Sequence, residues 1–227
     1  KITMKTVLFL LLINSLSFFI FGFNNALINY IHWYKNIALN PPTSIHLNQS
    51  IFGFISRLIT SSDPENNFYI NFLSLKHPLD NYIKYLVILL VSIYPAFLFR
   101  KKLIRTDTPK ALLEYSIVFS SIPLLSTLAW KAYFIFLWLP YLLVYFLLFK
   151  TPSRIKKNEH VFLKFLFILS VILNVFTSDG VIGKHLSDIL QSFSCITIGT
   201  GILVIIQLVL HRNIEKYGDT FIILPLK

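Results

Sequence analysis

One short segment combines residues suited to holding an anion. Asn48, Gln49 and Ser50 precede an apolar run, and Arg57 follows about two helical turns later. The N-terminus of a helix offers free N–H groups to an anion, and a guanidinium can hold two phosphate oxygens at once. The segment therefore predicts a phosphate contact. The simpler alternative is that Asn48 caps a helix while Arg57 reaches lipid headgroups.

Two carboxylates and a histidine in the same part of the chain are candidate acid–base groups. Asp63 and Glu65 flank a proline, and His46 lies just before the anion-binding segment. A carboxylate can take the proton of an attacking hydroxyl, and a histidine can act as acid or base. In the simpler alternative these carboxylates cap a turn or are solvated. The catalytic base is unassigned, with Asp63, Glu65 and His46 as candidates.

Trp130 and Lys131 form a second candidate pair at the edge of an apolar run. Lys131 can hold a phosphate, or both residues can simply anchor the chain at a membrane surface. The single cysteine, Cys195, gives no metal-ligand spacing. With only 7 glycines and no phosphate-cradling loop, we expect neither a metal, a cofactor nor a nucleotide donor.

The composition indicates which elements position these residues. The chain is 55% hydrophobic and 14% charged, whereas soluble domains carry about 25% charged residues. Six apolar runs approach the roughly 20 residues that a membrane span needs, and they are continuous rather than alternating, which argues against a barrel. We therefore predict an all-α, polytopic transmembrane bundle forming a single membrane domain over residues 1–227. The predicted spans are 6–23, 82–99, 112–128, 132–149, 161–177 and 194–210.

The positive charges predict how this bundle is oriented. Loops rich and poor in Lys and Arg alternate along the chain, and the rich loops of membrane proteins face the cytoplasm. We expect a multi-pass cell-membrane protein with both termini cytoplasmic and with loops 24–81, 129–131 and 178–193 outside. The net charge of +11 then reflects a lipid bilayer as partner rather than a nucleic acid. A signal peptide over residues 1–23 is the alternative for the first span.

The extracytoplasmic loop 24–81 is too long to be a simple connector. Residues 26–38 and 49–59 are each predicted to form a short helix. Their apolar and aromatic residues favour a position in the plane of the membrane interface.

The order of several short motifs resembles glycosyltransferase family 87. Asn48-Gln49-Ser50 with Gly53 and Arg57 resembles the family's NQS…G…R signature. The segments 125–131 (LSTLAWK), 139–140 (LP) and 197–199 (TIG) are similar to its later motifs. The resemblance covers about residues 24–210 and corresponds to the C-terminal part of such an enzyme. Thr127 replaces the family's proline, and Ala132 and Tyr133 stand where many members have histidine.

The resemblance implies a GT-C type fold and a reaction. Such an enzyme transfers a hexose or pentose from a polyprenyl-phosphate donor to a glycan or glycolipid acceptor at the extracytoplasmic face. It implies substrate binding by Asn48, Gln49, Ser50, Arg57, Trp130 and Lys131. The family's catalytic acid belongs to an early outer loop without a counterpart here, so we expect a fragment that is inactive alone. The alternatives are a non-catalytic membrane subunit or assembly factor and, less favoured because the spans hold few charges, a transporter.

Overall fold

The computed structural model describes residues 2–39, 45–60, 70–75, 78–98, 109–150 and 155–217. Within these ranges the regular secondary structure is helical, with one isolated bridge between Thr60 and Leu75 and no β-strand. The all-α prediction is confirmed. The chain forms two compact units, Lys1–Pro42 and Thr43–Lys227.

The first unit is a helical hairpin. α1 (Ile2–Phe21) and α2 (Phe23–Trp33) are joined at Gly22, whose φ of 76° favours glycine. α2 continues as the π-helical segment Tyr34–Leu39. α2 packs back against α1, and the Tyr30 hydroxyl of α2 donates a hydrogen bond to the Asn14 carbonyl of α1 at 2.7 Å. The helix predicted over 26–38 is therefore present, while its place at a membrane surface stays a prediction.

The second unit contains the remaining helices. The short α3 (Ile51–Ile59) is followed by α4 (Leu79–Leu98) and α5 (Pro109–Leu125). A 3₁₀ turn (Lys131–Leu137), α6 (Trp138–Tyr145) and a π-helical end (Phe146–Lys150) then form one helical run. α7 (Lys157–Val175), the single turn α8 (Asp179–Ile182), α9 (Lys184–Ser192) and α10 (Cys195–Tyr217) complete it.

Three helices in the described ranges are long and apolar enough to cross a membrane: Lys131–Lys150, Lys157–Val175 and Cys195–Lys216. The chain is accordingly treated as a membrane protein. The sequence predicted six spans, and α1, α4 and α5 lie at the other three positions. In α1 the described apolar segment is the shorter Leu11–Phe21, and α5 has 17 residues with Pro123 inside. Six crossings therefore stay a prediction.

α10 packs between α5 and α7 in the centre of this unit. A Cβ built on Gly199 would lie 3.0 Å from the Leu173 Cβ and 3.1 Å from the Ser170 carbonyl oxygen, so α7 approaches α10 closely at this glycine. Against α5, the buried Gln207 amide donates to the Ser116 hydroxyl at 2.7 Å. Polar contacts of this kind join helices where the surroundings are apolar.

The two ends of this helix bundle differ. At one end, Lys110 pairs with Glu215 at 2.9 Å and the Asn213 amide donates to Glu159 at 3.1 Å. At the other end, α3, the turn after α5 and the α8–α9 segment meet. These are the parts of the chain that the sequence predicted to lie outside, and they hold the candidate site.

Candidate functional site

Asn48 fastens the segment before α3 to the turn that follows α5. Its buried side-chain oxygen accepts hydrogen bonds from the Ser50 hydroxyl at 2.8 Å and the Ala129 N–H at 3.1 Å. Its amide nitrogen donates to the Thr127 carbonyl at 3.0 Å. Ser50 in turn caps α3, since its hydroxyl accepts from the Gly53 N–H at 3.0 Å. The cap of α3 is therefore Ser50 rather than the predicted Asn48, because the Asn48 side chain cross-links two segments instead.

Gln49 connects the same segment to α9 and α10. Its backbone N–H donates to the Ala129 carbonyl at 2.7 Å, and its side-chain amide donates to the Gln191 carbonyl at 2.8 Å. Its own carbonyl accepts from the Thr197 hydroxyl at 2.7 Å. Gln49 is fully buried, so every one of these bonds forms away from water.

The buried side chain of Arg57 connects α3 to the segment before it and to the start of α10. Its side chain donates to the Ile45 and Asn48 carbonyls, each at 2.7 Å, and to the Ser194 hydroxyl. Only 1% of Arg57 is exposed, and among the described residues it has no carboxylate partner. Burial lowers the pKa of Arg57 to about 10, so the guanidinium is still charged at neutral pH.

We call these connected groups the interlock: Asn48, Gln49, Ser50 and Arg57 with Thr127, Ala129, Gln191, Ser194 and Thr197. The hydrogen bonds of Arg57 are directed inward to other parts of the chain, and its predicted contact with a phosphate stays a prediction. Asn48, Gln49 and Ser50 are buried in the same way. Sequence reasoning missed this use of the polar residues because their partners are mostly backbone carbonyls from distant segments.

Lys131 lies at the surface beside the interlock. Its ammonium pairs with the Asp179 carboxylate at 2.5 Å, and the two side chains are 37% and 45% exposed. Hydrogen bonds from Lys131 and Ser187 hold the pKa of Asp179 below its usual value, and the charges of Lys131 and Lys184 act in the same direction. Two cations therefore share one carboxylate, which leaves this part of the surface positive.

An apolar cavity of about 590 Å³ opens next to Lys131. It lies between the start of the Lys131–Lys150 run and the end of α7. Its walls include Lys131, Phe134, Trp138, Tyr141, Asn174 and Ile196. A cation at the edge of an apolar cavity suits an amphiphile with an anionic head. Trp130, which the sequence paired with Lys131, is exposed beside it and is not part of the described wall.

His46 and Asp188 form a second pair at the same end of the bundle. The His46 Nε2 lies 3.6 Å from an Asp188 carboxylate oxygen, and both side chains are largely buried. Both ion pairs contact α9 at neighbouring residues. Asp179 of the first pair accepts a hydrogen bond from Ser187, and the second pair includes Asp188 itself. No pattern in the sequence predicted the pairing of His46 with Asp188. The other candidate bases, Asp63 and Glu65, lie outside the described residues.

No known protein family, curated protein or solved structure matches the chain. The resemblance to glycosyltransferase family 87 consequently stays a prediction based on the quoted motifs.

Proposed function

We propose that the chain is part of a membrane glycosyltransferase that moves a hexose or pentose from a polyprenyl-phosphate donor to a glycan or glycolipid acceptor. The observation that carries this proposal is the interlock. Three motifs distant in the sequence supply seven of its nine residues: 48–57, 125–131 and 197–199. The other two, Gln191 and Ser194, lie outside the motifs. Direct hydrogen bonds join Asn48 to Thr127 and Gln49 to Thr197.

The interlock supports the resemblance because it explains physically why these motifs occur together in one chain. Short motifs in the same order can arise by chance, whereas residues that bond to one another must occur together for the fold to form. The interlock also revises the role that the resemblance implied for Arg57. In this proposal Arg57 positions the outer segments, and it is not a phosphate ligand.

The proposed donor-binding site is the cavity beside Lys131. Its apolar wall suits a prenyl chain, and the Lys131 ammonium suits the phosphate at the chain's head. In the transfer, the acceptor hydroxyl oxygen bonds to the anomeric carbon while the bond from that carbon to the phosphate oxygen breaks. The polyprenyl phosphate leaves with the bond's electron pair, and Lys131 stabilises its growing charge. The hydroxyl proton goes to a base, for which His46, supported by Asp188, is the described candidate.

A non-catalytic subunit or assembly factor is the second candidate function. It is favoured by the way in which the signature residues are used. Asn48, Gln49, Ser50 and Arg57 all bond within the chain and lie outside the wall of the cavity. Such a subunit would hold a lipid or a partner without turning over a donor.

Donor binding tests the proposed function. We would reconstitute the purified chain in nanodiscs and measure its affinity for a polyprenyl-phosphate-linked hexose by native mass spectrometry. Wild-type protein should bind, and Lys131→Ala should bind about tenfold to a hundredfold more weakly, since a hydrogen bond to a charged group contributes about 1.5–3 kcal/mol.

The matched control is Lys157→Ala. Lys157 is an exposed lysine at the opposite end of α7 from the cavity, so its loss should leave donor affinity unchanged. A wild-type chain that does not bind, or a Lys131→Ala variant that binds as well as wild type, would contradict the proposed donor site. Binding without any turnover in the source membranes would favour the subunit.

A further inference from the structure

We propose that α9 is inserted in the membrane surface, with its outer side against lipid. This inference is independent of the proposed function. Four polar side chains of the helix are buried, whereas its apolar side chains are exposed or half-buried. Ser187, Asp188, Gln191 and Ser192 are buried, whereas Leu186 is 46% exposed and Phe193, directly after the helix, is 56% exposed.

The buried polar groups of α9 bond within the protein. The Ser187 hydroxyl donates to the Thr177 carbonyl at 2.5 Å, and the Gln191 amide donates back to the Ser187 hydroxyl at 3.0 Å. The Gln191 carbonyl accepts from Gln49, and Asp188 pairs with His46. The inward side of α9 is therefore a polar surface that needs the interlock as its partner.

The exposed side indicates the medium outside. An amphipathic helix at the surface of a soluble domain turns its polar residues to water and its apolar ones to the core. α9 shows the reverse, which is the arrangement expected where the surroundings are apolar. Exposed apolar residues also occur on the two candidate membrane spans that flank α9 in the chain, at Val175 near the end of α7 and at Ile198 near the start of α10.

The ends of α9 are consistent with a helix lying at the boundary of the lipid. Gly183 before it and Ser194 after it have φ of 80° and 58°, so the chain changes direction on both sides. Lys184 and His185 are exposed in its first turn. A basic first turn beside apolar residues matches the boundary between anionic headgroups and acyl chains. The occupant of this surface is therefore the bilayer, and residues 178–193 are not a purely aqueous loop.

Spin labels in proteoliposomes test this inference. Each variant carries one cysteine in a Cys195→Ser background, because Cys195 is the only native cysteine. Leu186→Cys and Phe193→Cys replace exposed side chains, so the fold should tolerate them. Collision rates with oxygen and with a water-soluble nickel chelate then give the depth of each label.

We expect labels at 186 and 193 to lie about 5–10 Å below the lipid phosphates. Ile205→Cys, on an exposed position of the α10 span, is the lipid reference, and Lys184→Cys is the surface reference. Nickel access at 186 and 193 equal to that at 184 would overturn the proposal. Labels shielded from both reagents would overturn it as well, because a protein partner would then cover the surface.

Discussion

Replacing Arg57 should destabilise the protein even when no substrate is present. Arg57 makes three hydrogen bonds from a site that is 1% exposed. At about 1.5–3 kcal/mol for each bond to a charged group, the gross contribution is about 5–9 kcal/mol. Burial opposes this, since lowering the pKa of Arg57 to about 10 corresponds to a desolvation cost of about 3 kcal/mol.

The difference gives the expected loss. Arg57→Ala should lower the free energy of unfolding by about 2–6 kcal/mol, because it removes the donors and leaves the Ile45 and Asn48 carbonyls and the Ser194 hydroxyl without their partner. Arg57→Lys keeps a cation but lacks the planar fork that reaches several acceptors at once. It should therefore lose at least about 1.5 kcal/mol.

The assay is reversible unfolding by SDS in mixed micelles, followed by tryptophan fluorescence. Arg212→Ala serves as the control, because Arg212 is an exposed arginine on α10 and should change stability by no more than about 0.5 kcal/mol. If Arg57→Ala is as stable as this control, the interlock does not hold the outer segments together. A defect seen only in donor binding, with unchanged stability, would instead restore Arg57 as a phosphate ligand.

Two further predictions concern helix packing and the surface ion pair. Gly199→Ala should destabilise the protein by about 1–3 kcal/mol, because the added methyl group overpacks α7 against α10. The control Gly201→Ala has nothing within 4 Å of the added Cβ and should be neutral or stabilising. Equal effects of the two variants in thermal unfolding would refute the close approach of α7 and α10. Because the pKa of Asp179 is lowered in the fold, mainly by Lys131, the pair's contribution is present above about pH 4 and is lost as pH falls below it. Between about pH 5 and pH 3, wild type should thus lose more stability than Asp179→Asn, and parallel curves would show that the pair is not formed.

The sequence predicted local features well because local physics determines them. The helix predicted over 49–59 is Ile51–Ile59, since a serine cap and an apolar run are both present in the sequence. The helix predicted over 26–38 lies within the helical segments Phe23–Trp33 and Tyr34–Leu39. Both helices fit their predicted ranges within a few residues.

What the sequence did not indicate was which groups each polar residue would meet. Arg57 was expected to contact a phosphate or lipid headgroups on the outer side, and burying an arginine without a carboxylate is costly. The fold meets this cost with Ile45, Asn48 and Ser194, which no local pattern brings together. The inverted burial of α9 was missed for a similar reason: periodicity shows that a helix has two faces, but not which of them is buried.

The central claim is most directly tested by the release of polyprenyl phosphate from a labelled polyprenyl-phosphate sugar, because this product forms whatever the acceptor is. Membranes of the source cell would be compared with the gene intact, deleted, and restored as wild type or as Lys131→Ala. We expect release to be lost on deletion, regained with the wild-type gene and reduced at least about tenfold with Lys131→Ala at equal protein abundance. Unchanged release after deletion would contradict the assignment as a glycosyltransferase.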